Sequence, residues 1–221
     1  MRDAERVERI LHLAAADVID ERPDGSDEDV HFPRALAHAV IDRYSSPGEM
    51  VLDPFAGWGT TLVVAEKLGR SAIGVELVPE RVAAIKRRVS PSAVVLQADA
   101  RNLDNLHLGQ IDLCFTSPPY MNATDHPQNP LTAYSTLDGN YNTYLTELTG
   151  VFIAVSRHLR TGGHLVINAA NIRTGEIVTP LAWDIAHAMN PHLAFRGETY
   201  LAWDQPPTMF TGDYCLAFQK P

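Results

Sequence analysis

Asp53-Pro54-Phe55-Ala56-Gly57-Trp58-Gly59-Thr60-Thr61 is the stretch on which the fold turns. The apolar run Met50-Val51-Leu52-Asp53 leading into it reads as a short strand, and Thr60 to Gly69 reads as a helix. Between them, glycines without a Cβ let the backbone come close to a ligand at a point where helix amides face outward. Outward from this junction the same alternation continues. A helix is predicted upstream from Arg34 to about Tyr44, ended by Ser45-Ser46-Pro47-Gly48. Downstream come a strand over Ser71–Glu76, a helix over Pro79–Val89 and a strand over Ser92–Asp99. Strand and helix in strict alternation predict a mostly parallel sheet with helices on both faces.

The second half keeps the rhythm and then changes it. Ile111 to Tyr120 reads as a strand running into a loop, followed by a polar stretch from Met121 to Asn140 and a long helix from about Tyr141 to Leu159. Thr161–Asn171 is a further strand, and a helix follows near Thr179–Ala188. Two β-rich runs, Phe195–Trp203 and Asp213–Lys220, flank a Pro-containing turn and predict a closing antiparallel hairpin. At the other end, Val7, Ile10, Leu11, Ala14 and Val18 have helical spacing, so a first helix is expected over about 4–20, followed by an acidic linker. The expected division is therefore 1–30 as helix and linker, and 31–221 as one α/β domain with a seven-stranded sheet.

Composition narrows the functional classes. The chain has 221 residues, 45% of them hydrophobic, enough for one sizeable core. No apolar stretch is long enough to cross a bilayer, and the charged amphipathic N-terminus lacks a secretory signal, so a soluble cytoplasmic protein without membrane contact is expected. Cys114 and Cys215 stand apart in apolar runs, and packing is the expected role for both. The histidines lack metal-ligand spacing, and no metal is expected. A formal net charge of −9 weighs against a tightly held duplex nucleic acid, because phosphate neutralisation supplies most of such affinity.

The glycine loop alone is better read as a tight turn after a strand. Its acidic neighbours add to it: Glu76 ends the next strand, where a carboxylate can accept from a ribose diol, and Asp99 ends the third, where one can accept from an adenine amino group. Capping or surface charge explains each acid singly, but not the series at successive strand ends. A dinucleotide enzyme competes for the same pattern. The loop lacks the G-x-G-x-x-G spacing, and no second phosphate-binding device is present.

Thr116-Ser117-Pro118-Pro119-Tyr120 follows the fourth strand. Its prolines fix φ and remove amide donors, which leaves a stiff loop rich in acceptors. An exocyclic amine on a heteroaromatic ring is a poor nucleophile because its lone pair is delocalised. The Ser117 hydroxyl and Pro118 carbonyl can hold its N–H groups and favour a tetrahedral nitrogen, while Tyr120 offers a face for a planar base.

Together, Asp53–Thr61, Glu76, Asp99 and Thr116–Tyr120 resemble the amino-group (N4-cytosine and N6-adenine type) DNA methyltransferase superfamily, which is related to RNA guanine-N2 methyltransferases. The resemblance covers roughly His31 to the C-terminus. It implies a Rossmann-like class I fold and S-adenosylmethionine as cofactor, with S-adenosylhomocysteine as product. It also implies that Phe32, and with it His31, Asp53, Pro54, Phe55, Gly57, Gly59 and Thr60 surround the methionine part. Glu76 takes the ribose, and Asp99 with Ala100 the adenine. Ser117, Pro118, Pro119 and Tyr120 form the catalytic loop. Serine at its head leans toward cytosine N4 in DNA. The chain has little room for a target-recognition region, which leaves open an RNA guanine, a small molecule or protein amide, a partner subunit for recognition, or a non-catalytic cofactor-binding subunit.

Overall fold

The computed structural model describes residues 9–22, 32–123 and 127–221. Among the described residues, nine strands form one sheet: β1 (Ile10–Leu13), β2 (Met50–Asp53), β3 (Ser71–Glu76), β4 (Val94–Gln97), β5 (Ile111–Thr116), β6 (Leu159–Thr174), β7 (Ile177–Thr179), β8 (Ala194–Trp203) and β9 (Phe210–Gln219). Their order is β1-β8-β9-β6-β5-β2-β3-β4, with β7 paired to the far end of β6. The central strands run parallel, and β9 lies antiparallel between β6 and β8. The strand order reverses across β2 and β5. That is the switch point, where a crevice opens beyond the strands' carboxyl ends.

Among the described residues, six α-helices accompany the sheet: α1 (Ala15–Asp20), α2 (Arg34–Tyr44), α3 (Thr60–Lys67), α4 (Pro79–Arg88), α5 (Tyr141–His158) and α6 (Leu181–Met189). On one face, Leu36 and Ile41 of α2, Leu62 of α3 and Ile85 of α4 pack against Val51, Leu113 and Phe115. On the other, Leu148, Phe152 and Val155 of α5 and Leu181 and Ile185 of α6 pack against Leu52, Cys114, Ile167 and Leu216. Each such side chain removed from water contributes about 1.5–3 kcal/mol. Both cysteines are buried and unpaired, in accord with the packing role expected of them.

The α2–β5 elements follow the sequence reading closely, and the predicted α/β class with its closing hairpin is observed. Two features differ. The helix expected over about 4–20 is a strand at Ile10–Leu13 and a short helix after it; residues 1–8 lie outside the described part. The outer edge of β8 explains the change. Its backbone groups need partners, and the parallel β1 supplies them: Tyr200 N–H donates to the Arg9 carbonyl at 2.8 Å and Asp204 N–H to the Leu13 carbonyl at 3.1 Å. Leu13, the last residue of this added strand, is buried. The second difference is the strand count, nine rather than seven, because β1 and β7 are added. Strand β7 folds back on Ile172–Thr174 through Gly175 at φ +58°.

Candidate active site

Asp53 closes β2 and is almost wholly buried. One carboxylate oxygen accepts from the Thr116 hydroxyl at 2.6 Å and from the Phe55 amide at 3.1 Å; the other accepts from the Thr61 hydroxyl at 2.6 Å. The glycine loop, the start of α3 and the end of β5 are thereby fastened to one carboxylate. Burial pushes that carboxyl up to about 6, against the pull of the hydrogen bonds from Thr116, Thr61 and Phe55. Pro54 is buried beside it, and the Phe55 ring meets Phe152 of α5 edge-on at 6.5 Å.

Gly59 precedes α3 at φ +86°, and a Cβ there would stand 3.0 Å from Ile85. Both the left-handed backbone and the close approach of α4 call for glycine. Helix α3 starts at Thr60 with no side-chain cap, so its first amides keep their donor capacity. Phe32, just ahead of α2, packs its ring 4.9 Å from Phe115. It lies on the α2–α3 face, beneath the carboxyl end of β5.

Glu76 ends β3, where one oxygen accepts from the Gly57 amide at 2.8 Å and the other from the Val78 amide at 2.8 Å. It shapes the glycine loop and the entry to α4 at once. Burial raises its pKa, against those backbone bonds and the charge of Arg81. Asp99 lies two residues beyond β4 and caps a 3-10 turn over Ala100–Asn105, with Ala100 buried. Its carboxylate is gripped by Arg101, whose guanidinium also reaches Glu147 of α5 at 3.1 Å. Burial works to raise the Asp99 pKa, but the hydrogen bonds and charge of Arg101 outweigh it and hold the carboxyl below its ordinary value.

Across the crevice, Ser117 follows Thr116 directly, and Pro118 is buried. Tyr144 of α5 donates its hydroxyl to the Pro119 carbonyl at 2.9 Å. The Tyr120 hydroxyl accepts from Ser117 Oγ and donates to the Asn168 carbonyl of β6, both at 3.3 Å. Burial, then the charge of Asp213, push the Tyr120 phenol well above its usual range, so it remains a donor. Its ring faces Phe210 at 6.1 Å. Among the described residues, no hydrogen bond falls on the Pro118 carbonyl.

The predicted site residues therefore gather at the carboxyl ends of neighbouring strands: Asp53 and Glu76 at the ends of β2 and β3, Asp99 just past β4, and Ser117–Tyr120 after β5. His31 lies outside the described residues. Sequence reading missed Thr61, Thr116, Tyr144, Asn168 and Asp213, which hold the two loops. Only Thr61 and Thr116 carried a signal, as neighbours of the motifs; the others come from distant segments. Among the described residues there is no group of three or more His, Cys, Asp or Glu suited to a metal ion, and no helix long and apolar enough to cross a membrane.

Comparison with known proteins fits this geometry. The DNA methylase family matches over residues 20–87. Type II methyltransferase M.SmaI of Serratia marcescens is 47% identical over 58 residues, which are 26% of this chain and 20% of that protein. Type II methyltransferase M.HinfI of Haemophilus influenzae is 52% identical over 44 residues, 20% of this chain and 12% of that one. The matched part thus spans a fifth or less of these relatives. Among solved structures, N-methyltransferase NodS from Bradyrhizobium japonicum superposes with a TM-score of 0.59 at 12% identity, over 85% of this chain and 94% of that one. The TehB-like SAM-dependent methyltransferase of Corynebacterium glutamicum gives 0.55 at 16% identity, over 84% and 87%. Residues 20–87 are thus similar to the DNA methylase family, and the chain shares the fold of these solved methyltransferases.

Proposed function

We propose that the chain is an S-adenosylmethionine-dependent N-methyltransferase acting on an exocyclic amino group of a nucleobase, with cytosine N4 in DNA as the favoured target and residues 31–221 as the catalytic unit. The carrying observation is the Asp53 carboxylate, bonded to both Thr61 beside the glycine loop and Thr116 beside the proline loop. One buried group thus sets the distance between a nucleoside-binding half and an amine-binding half.

The residues present suit that cofactor. A Cβ at Gly57 would meet nothing nearer than the Phe55 carbonyl at 3.9 Å, so the loop borders open space. The uncapped amides of α3 and the Trp58 indole N–H, buried with no hydrogen-bond partner among the described residues, offer donors for a carboxylate. Glu76 retains lone pairs for ribose hydroxyls beyond the two amides it serves, and Asp99 and Ala100 border the place for adenine. When bound, the cofactor supplies a methyl group on a positive sulfur.

The chain's own residues do the rest. The Pro118 carbonyl and Ser117 hydroxyl hold the amino N–H groups, which localises the nitrogen lone pair. Tyr120 and Phe210 provide flat apolar surface for the base. An amine nitrogen that took up the methyl group would become acidic. Its proton leaves through Ser117 to solvent. No residue of high basicity is needed. A base within a duplex has to be flipped from its stack to reach this loop; an unpaired base does not.

The net charge of −9 favours a second reading, in which the target amine belongs to an RNA guanine or a smaller molecule, or a partner subunit supplies recognition. Methyl transfer from labelled cofactor to duplex DNA, single-stranded DNA and total RNA, followed by nucleoside mass spectrometry, separates them. N4-methylcytosine in DNA is the expected product. N2-methylguanine in RNA would replace the first reading with the second. Cofactor binding without label in any pool would redirect the search to a small molecule, a protein amide or a missing partner.

A further inference from the structure

Asp213 of β9 is a buried carboxylate that the methyl-transfer scheme does not use, with 4% of its surface exposed. One oxygen accepts from Asn168 Nδ2 at 2.8 Å and the other from Trp203 Nε1 at 2.8 Å. It forms no ion pair with any described residue. A buried carboxylate held only by neutral donors costs several kcal/mol relative to an apolar side chain of similar size. Packing alone does not account for it, since Cys215 and Ala217, which follow on the same face of β9, are small and apolar.

What the carboxylate holds is informative. Asn168 Nδ2 donates to Asp213 and also to the Tyr214 carbonyl at 3.2 Å, so the Asn168 side chain is clamped by two consecutive residues of β9. The backbone carbonyl of the same Asn168 receives the Tyr120 hydroxyl, which in turn receives Ser117 Oγ. Asn168 stands one residue past Ile167, the partner of Thr116 in the β5–β6 register, and so directly alongside the start of the proline loop. Trp203 ties the carboxylate to the end of β8, where β1 pairs with it.

We propose that Asp213 is a positioning residue for the amine-binding loop: by clamping Asn168 it fixes the carbonyl on which Tyr120 rests, and with it the pose of Ser117 through Tyr120. This rests on the proposed methyl transfer for its catalytic consequence, but not for its structural one. Asp213→Asn is nearly isosteric, yet it puts an NH2 opposite either the Asn168 amide or the Trp203 indole, donor against donor.

Three readouts test the proposal on the full chain: S-adenosylmethionine affinity by calorimetry, amide hydrogen exchange, and methyl transfer to the nucleic-acid pool that the wild type labels. For Asp213→Asn, affinity for the cofactor stays within about twofold, exchange at the Tyr120 and Met121 amides rises while exchange over Gly57–Thr61 does not, and kcat falls about tenfold or more with little change in KM for the target. Trp203→Phe removes one donor and leaves the carboxylate, so it shifts the same readouts in the same direction by less; it serves where Asp213→Asn does not fold. Unchanged exchange at Tyr120 and Met121, or a rise spread equally over Gly57–Thr61 with loss of cofactor affinity, would overturn the assignment. A wild type that labels no pool refutes the proposed activity instead, and the exchange pattern still decides the role of Asp213.

Discussion

Among the described residues Asp53 has three hydrogen-bond donors and no cation, which makes its ionisation a cost to the fold at neutral pH. Its pKa is about 6 in the fold against 3.8 as the ordinary value. Between these limits the folded chain holds a proton that the unfolded chain has lost. The penalty is therefore absent below about pH 4, grows as pH rises, and is complete above about pH 6, at about 3 kcal/mol. Asp53→Asn removes this titration. The stability difference between variant and wild type should move in the variant's favour by up to that amount from pH 4 to pH 7, read from urea midpoints; parallel pH curves would refute it. Gly59→Ala acts on the same loop through its backbone. With φ at +86° and Ile85 3.0 Å from the new Cβ, a loss of about 1–3 kcal/mol is expected in the same urea series, together with weaker cofactor binding. Gly59 and Asp53 were legible because a strand-to-helix junction leaves a local mark. That Asp53 would spend its oxygens on Thr61 and Thr116 was not, since Thr116 is 63 residues away and only the β2–β5 pairing brings it near.

Helix α5 supports the proline loop from outside its own segment. Tyr144, 1% exposed, sits one turn into the helix behind an Asn140 cap and gives its hydroxyl to the Pro119 carbonyl. Tyr144→Phe keeps the packing and strands that carbonyl. A loss of about 1–3 kcal/mol is expected by chemical denaturation. Methyl transfer should fall while cofactor affinity is spared, because α3, Glu76 and Gly57 are untouched; equal loss of both would show that α5 supports the two halves alike. Strong periodicity made α5 readable almost to the residue. Strand β1 was not, since Ile10, Leu11 and Ala14 satisfy helical spacing too, and the open edge of β8 decides between the two. Nor was β7, a three-residue strand that owes its form to the far end of β6.

At the scale of the molecule, the fold places both halves of the proposed site at the carboxyl ends of neighbouring strands, while the charge of the whole chain opposes DNA, the polymer in the name of the family that matches residues 20–87. Binding to duplex DNA draws its affinity from counterions released as phosphates are neutralised, with log K falling by about 0.9 per phosphate contact for each unit of log salt. Eighteen Lys and Arg against 27 Asp and Glu leave few cations to spare, and several are committed: Arg101 to Asp99 and Glu147, Arg157 to Asp104, Arg160 to Asp112 and Glu49. The chain alone should therefore bind duplex DNA weakly, with a salt slope of magnitude about 2 or less. Titrations by fluorescence anisotropy at several salt concentrations measure this directly. A shallow slope with low affinity means that recognition comes from a partner or that the target is not a duplex. A slope several times steeper would reveal a basic surface hidden within the acidic total, and would return duplex DNA to the chain unaided.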